Sequence, residues 1–134
     1  RRHPDAVVIG SDQVASRSCN LLAKPLTRAR PDADLLPCSV TSVEFHTAVC
    51  VLAPDGSAQS HVDLTRVWFR ELDPDLVRRY VAADEPLDCA GSFRVERRGV
   101  LLFTAVENRD PTALQGLPLI WTCAALQAAG VALL

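Results

Sequence analysis

Methionine is absent from this 134-residue chain. A cytoplasmic gene product opens on Met, whereas this one opens on Arg1-Arg2-His3-Pro4. The expectation is therefore a fragment, or a product lacking its N-terminal part. Paired cysteines are also missing. Cys19, Cys38, Cys50, Cys89 and Cys123 stand far apart, odd in number and without a Cys-x-x-Cys spacing. That argues against a disulfide framework or a zinc site and for reduced thiols. No apolar run approaches the length of a membrane helix, and the first residues form no signal-peptide pattern. The expected location is the cytoplasm, with no membrane partner. A general basic field is lacking too: net charge is −2, which argues against a nucleic-acid partner. Hydrophobic residues at 49% and charged ones at 22% are ordinary for a soluble globular chain, long enough for one domain with a core.

The stretch Ala6-Val7-Val8-Ile9-Gly10-Ser11-Asp12-Gln13 changes character in the middle. Its β-branched start reads as a buried strand. An acid and an amide then follow a glycine. Open α/β sheets place ligand chemistry just outside the carboxyl end of a strand, so Asp12 is the candidate reacting carboxylate. A turn-capping role for Asp12 is the plain alternative.

Further along, Ala23-Lys24-Pro25-Leu26-Thr27 forms a polar corner. Lys24 precedes proline, whose ring biases it towards extended backbone, and a lysine held there suits either a phosphate or solvent. A short helix is expected from about Pro31 towards Leu36. Val43–Ala53 and His61–Leu72 read as a hairpin about the Pro54-Asp55-Gly56 turn. Asp73-Pro74 opens a helix as N-cap and first residue, with Leu76, Val77, Tyr80 and Val81 on its buried face. Val100–Val106 reads as a buried strand. Leu119–Ala129 reads as a helix apolar almost all round and closed by Gly130, which is either core or packed on a partner. Trp68 and Trp121 are expected in the core. Cys89 reads as a small buried thiol, or as a nucleophile if a histidine lies beside it. The elements alternate irregularly, with no repeat or linker. The expected class is α/β (α+β): one domain over residues 1–134, with a mixed twisted sheet, a central hairpin and flanking helices.

Four stretches in order resemble the Maf family of nucleoside triphosphate pyrophosphatases, the septum-formation-inhibitor-like proteins. They are Gly10-Ser11-Asp12-Gln13-Val14, Lys24-Pro25-Leu26-Thr27, Glu85-Pro86-Leu87-Asp88-Cys89-Ala90-Gly91-Ser92-Phe93, and Arg109-Asp110-Pro111 with Gly116-Leu117-Pro118-Leu119. The Cys-Ala-Gly-Ser-Phe form, with Gln13 after the acid, is similar to the 7-methyl-GTP subgroup rather than the dTTP- and UTP-acting one, which has lysine at the Cys89 position. The resemblance implies a fold like that of Maf and inosine triphosphatase proteins. It also implies hydrolysis of a nucleoside triphosphate, most closely 7-methyl-GTP, to the monophosphate and diphosphate as housecleaning of modified nucleotides. A divalent cation, Mg or Mn, is the implied cofactor, and a homodimer the implied assembly. By the same resemblance Asp12 is the proton acceptor and a metal ligand. Ser11 and Lys24 meet phosphates, and Gln13 and Glu96 select the base. The plain alternative for Glu96 is a surface glutamate beside Arg97 and Arg98.

The pattern departs from the family's in several places. Its opening strand and Ser-x-x-Arg loop have no counterpart here. Ala23 stands where glycine precedes the lysine, and Ser39-Val40 stands where the family has Ser-Gly. These departures keep a second function open: a nucleotide-binding or regulatory Maf-like protein, linked to septum formation, that binds without turnover. An inosine-triphosphatase-type enzyme is a third, disfavoured by the Cys-Ala-Gly-Ser-Phe stretch.

Overall fold

The computed structural model describes residues 3–18, 20–22, 33–86 and 94–134. Strands β1 (Val8–Arg17), β2 (Asn20–Leu22), β3 (Ser42–Leu52) and β4 (Ala58–Phe69) come first. Helix α1 (Pro74–Asp84), strand β5 (Phe103–Glu107) and helix α2 (Leu119–Ala128) follow. Among the described residues the strands make a five-stranded sheet in the order β2-β1-β3-β4-β5, and every pairing is antiparallel. The α+β class, the central hairpin and the flanking helices are as expected, whereas the sheet, expected to be mixed, is antiparallel among the described residues. None of the described helices is long and apolar enough to cross a membrane.

The period of two in β3 and β4 decides which face of the sheet is covered. Val43, Phe45, Val67 and Phe69 point one way and join a core with Val77, Tyr80 and Val81 of α1. Leu35, Leu102, Phe103 and Leu114 belong to the same cluster, and the Phe69 and Phe103 rings meet edge to face at 5.3 Å. Their neighbours in sequence point to the other face, which stays open. Helix α1 starts where its signals lie: the Asp73 side chain accepts from the Leu76 N–H at 2.7 Å, and Pro74 takes the first turn, where no N–H is needed. The helical turn expected near Pro31 is found at residues 33–35, continuing into a 3-10 turn at Leu36–Cys38.

Several expectations are corrected. Gly10 to Gln13 is not a turn: β1 runs through it without a break, from Val8 opposite Leu52 to Ser16 opposite Glu44. Pairing along the whole length of β3 outweighs the local turn preference of Gly and Asp. Nor is the start of β1 buried, since Val8 is 46% and Ile9 42% exposed. Val100–Val106 is not one buried strand. Gly99–Leu102 is a 3-10 turn, and in β5 the residues after Phe103 are exposed. Trp68 lies on the open face, 39% exposed, outside the core. The apolar helix α2 is covered on one side only, with Thr122 and Ala125 buried and Ile120 64% exposed.

Val40 occupies a strained position. It has φ 55°, the left-handed region that β-branched side chains enter at a cost. The bonds of the Cys38–Thr41 turn hold it there: Thr41 N–H donates to Cys38 O at 3.0 Å and Val40 N–H to Arg70 O at 3.2 Å. Its side chain is 73% exposed and packs little. Val40→Gly should therefore stabilise the protein. Relief of roughly 1–2 kcal/mol of left-handed strain, less about 0.5–1 kcal/mol of glycine backbone entropy, leaves a gain of about 0.5–1 kcal/mol. A higher urea midpoint at unchanged slope is the expected reading; a lower midpoint would show that Val40 rests there without strain.

Candidate active site

Because β1 is a strand, its polar residues divide between two faces. Ser11 and Gln13 point to the covered face, where the segment after Asp110 crosses the sheet. The Ser11 hydroxyl lies 2.7 Å from the Gly116 carbonyl and 2.9 Å from that of Ala48. The Gln13 amide donates to Thr47 Oγ1 at 2.9 Å and to the carbonyls of Ala113 and Leu114 at 3.1 and 3.2 Å. Those donors are occupied by the protein, and Gln13 keeps a side-chain carbonyl oxygen able to accept from a ligand.

That crossing segment is locked by Asp110, which is 3% exposed. One carboxylate oxygen accepts from the Thr112 N–H at 2.9 Å and the Thr112 hydroxyl at 2.5 Å. The other accepts from the Ile120 N–H at 2.8 Å, so Asp110 caps α2 from a distance. Thr112 Oγ1 accepts in turn from the Leu119 N–H. Burial pushes the Asp110 carboxyl up, but the hydrogen bonds from Thr112 and Ile120, with the charge of His61, outweigh it and hold the group below its ordinary range.

Asp12 points the other way, onto the open face, opposite Ala48. It is exposed, and Oδ1 accepts from the Gln13 N–H at 2.9 Å. Charged neighbours share that face. Arg66 donates to Glu44 at 2.7 Å and lies 3.6 Å from Glu107. His46 Nε2 is 3.5 Å from Glu44, and Trp68 Nε1 donates to Glu107 at 3.1 Å. The Arg66 hydrogen bond holds the Glu44 carboxyl below its ordinary value. Glu44, His46, Arg66 and Trp68, with Ser42, line an open groove of about 690 Å³. The sequence reading missed this network. Its signal is the alternation of Glu44, His46 and Arg66 with buried apolar residues, which marks them as one outward row. Also missed was the partner of Trp121, a half-buried ring stacked on His61 at 5.3 Å.

Glu96 sits elsewhere, exposed in the turn that follows α1 in space. The fold thus brings Ser11 and Gln13 together, sets Asp12 on the opposite face, and carries Glu96 on a different element. Lys24 and the stretch Cys89–Phe93 lie outside the described residues. Among the described residues no three of His, Cys, Asp and Glu are grouped to hold a metal. A single exposed carboxylate such as Asp12 has the oxygen chemistry of a cation held by one or two carboxylates together with substrate phosphates.

The Maf-like protein family model matches residues 1–129. This chain belongs to that family. The Maf-like chain is 48% identical over 132 residues to the 7-methyl-GTP pyrophosphatase of Xanthomonas campestris pv. campestris (strain 8004), covering 98% of itself and 69% of that protein. It is 48% identical over 134 residues to the 7-methyl-GTP pyrophosphatase of Polaromonas sp. (strain JS666 / ATCC BAA-500), covering 99% of itself and 61% of the relative. With the protein of that name from Alkalilimnicola ehrlichii it shares 50% identity over 120 residues, 89% of this chain and 60% of the other.

Asp110→Asn tests the lock of this Maf-like chain. The amide cannot serve three donors, so a loss of about 1–3 kcal/mol is expected at neutral pH. A carboxyl held below its ordinary value stabilises the fold above the unfolded value of about 3.9, and that stability is lost as pH falls through the folded value. The gap between wild type and variant in urea unfolding should therefore narrow in acid. A gap independent of pH would show that the charge of Asp110 is not what the variant removes.

Proposed function

We propose that this protein is a nucleoside triphosphate pyrophosphatase acting on 7-methyl-GTP. The observation that carries the reading is an exposed Asp12 carboxylate, accepting among the described residues from the Gln13 N–H, in a chain 48% identical to relatives of that name. In the proposed reaction Asp12 accepts a proton from water as the water oxygen bonds to the α-phosphorus. The bond from that phosphorus to the α–β bridging oxygen breaks, releasing 7-methyl-GMP and diphosphate. Asp12 is exposed, so its carboxylate is open to a water from which it can take a proton in the transition state. A divalent cation, Mg or Mn, on Asp12 and the phosphates would offset the charge that repels the nucleophile. Lys24 would add a positive charge to the same end of the substrate.

Methylation makes the guanine ring cationic, and the Glu96 carboxylate complements it. The Gln13 carbonyl oxygen can accept from the guanine N–H edge. We further propose that the protein works in the cytoplasm as a homodimer joined through α2. Residues 111–134 carry no charged side chain, and Leu119 and Ile120 stand exposed on that helix.

Two measurements test the reading. Asp12→Asn keeps the shape and removes the base, so hydrolysis should fall by roughly a hundredfold or more. A variant that turns over normally would exclude Asp12, and a wild type that binds nucleotide without turnover would favour the regulatory alternative. Glu96→Gln should narrow the preference for 7-methyl-GTP over GTP in kcat/KM by roughly tenfold, the worth of a charge-assisted contact, while hydrolysis persists. A wild type that prefers dTTP or UTP would overturn the substrate assignment.

A further inference from the structure

The turn that carries Glu96 is bolted at both ends to one face of α1. Two residues before Glu96, the Arg94 N–H donates to the Tyr80 hydroxyl oxygen at 2.7 Å. Two residues after it, the Arg98 N–H donates to Asp84 Oδ2 at 2.8 Å, and the Arg98 guanidinium donates to Oδ1 at 2.9 Å. Residues 80 and 84 are four apart, so they lie one above the other on the helix. Between the two bolts the turn closes on itself: the Arg97 and Gly99 N–H groups both donate to the Arg94 carbonyl, at 3.3 and 2.9 Å. Val95 packs against the core.

Asp84 is an unusual residue to find there. Its side chain is fully buried, and it is the last residue of α1. Burial disfavours a carboxylate, and so does the negative end of a helix dipole. Both effects oppose it, and its local compensation is the Arg98 pair. Tyr80 is likewise buried, and its hydroxyl oxygen accepts from the same turn.

We propose that Tyr80 and Asp84 are positioning residues for Glu96, and that their grip on the turn sets how well the protein discriminates a methylated, cationic base from a neutral one. The inference rests on the reading that Glu96 meets the base. An exposed glutamate on a loose turn must be ordered when ligand arrives, at the expense of affinity. A turn fixed in advance avoids that loss.

The test is a double-mutant cycle of Tyr80→Phe and Glu96→Gln, read as kcat/KM for 7-methyl-GTP and GTP with the thermal midpoint alongside. Tyr80→Phe keeps the buried ring and removes the acceptor. The ratio of the two nucleotides should fall roughly three- to tenfold. The fall should come through KM for 7-methyl-GTP, with kcat on GTP unchanged. In the Glu96→Gln background the same change should leave the ratio where Glu96→Gln put it. Asp84→Asn, which keeps an acceptor for the Arg98 N–H but loses the ion pair, should shift the ratio in the same direction by less. If Glu96→Gln narrows the ratio and Tyr80→Phe does not, the positioning role is overturned and the base reading stands. If Glu96→Gln leaves the ratio unchanged, both fall. An equal loss on the two nucleotides with a lowered midpoint would make Tyr80 structural and overturn the inference.

Discussion

The register of β3 is the constraint on which the rest of the molecule depends. It pairs with β1 on one side and β4 on the other along almost its whole length. Val43, Phe45, Thr47, Val49 and Val51 are buried at every second position. A slip of one residue would turn all of them to solvent. The same slip in β1 would exchange its faces, sending Asp12 under the crossing loop and Ser11 and Gln13 into the open. Packing in β3 therefore determines the surroundings of the carboxylate.

The two faces handle polarity differently. On the covered face, the Gln13 amide meets the carbonyls of Ala113 and Leu114, and Asp110 accepts from N–H groups on both sides of the crossing segment. Bonds shielded from solvent in this way are costly to leave unmade, so they hold the loop firmly. On the open face, Glu44, Arg66 and Glu107 pair with one another in solvent. Exposed pairs of that kind add little stability. They do give one end of that face a defined arrangement of charge.

Helix α1 links core to loop. Its Val77 and Val81 serve the core, while Tyr80 and Asp84 hold the turn that carries Glu96. Tyr80 belongs to both sets, so its ring and its hydroxyl answer to different demands. The left-handed Glu85, at φ 46°, ends the helix directly after Asp84.

What the sequence determined by itself was whatever is coded locally or by motif. The Pro54-Asp55-Gly56 turn, the alternation of β3 and β4 and the Asp73-Pro74 helix start all rest on neighbouring residues. The four ordered motifs placed the chain in its family, which the match over residues 1–129 bears out. Tertiary structure alone decided the rest. Gly10 to Gln13 looked like a turn because glycine and aspartate favour turns locally; pairing with residues 47–50 made it a strand. Trp68 looked like core because it is large and apolar; its parity in β4 put it outside. The links from Ser11 to Gly116 and from Gln13 to Ala113 span 105 and 100 residues. No local pattern encodes them, because they exist only once the register of the sheet has chosen which side of β1 meets the loop.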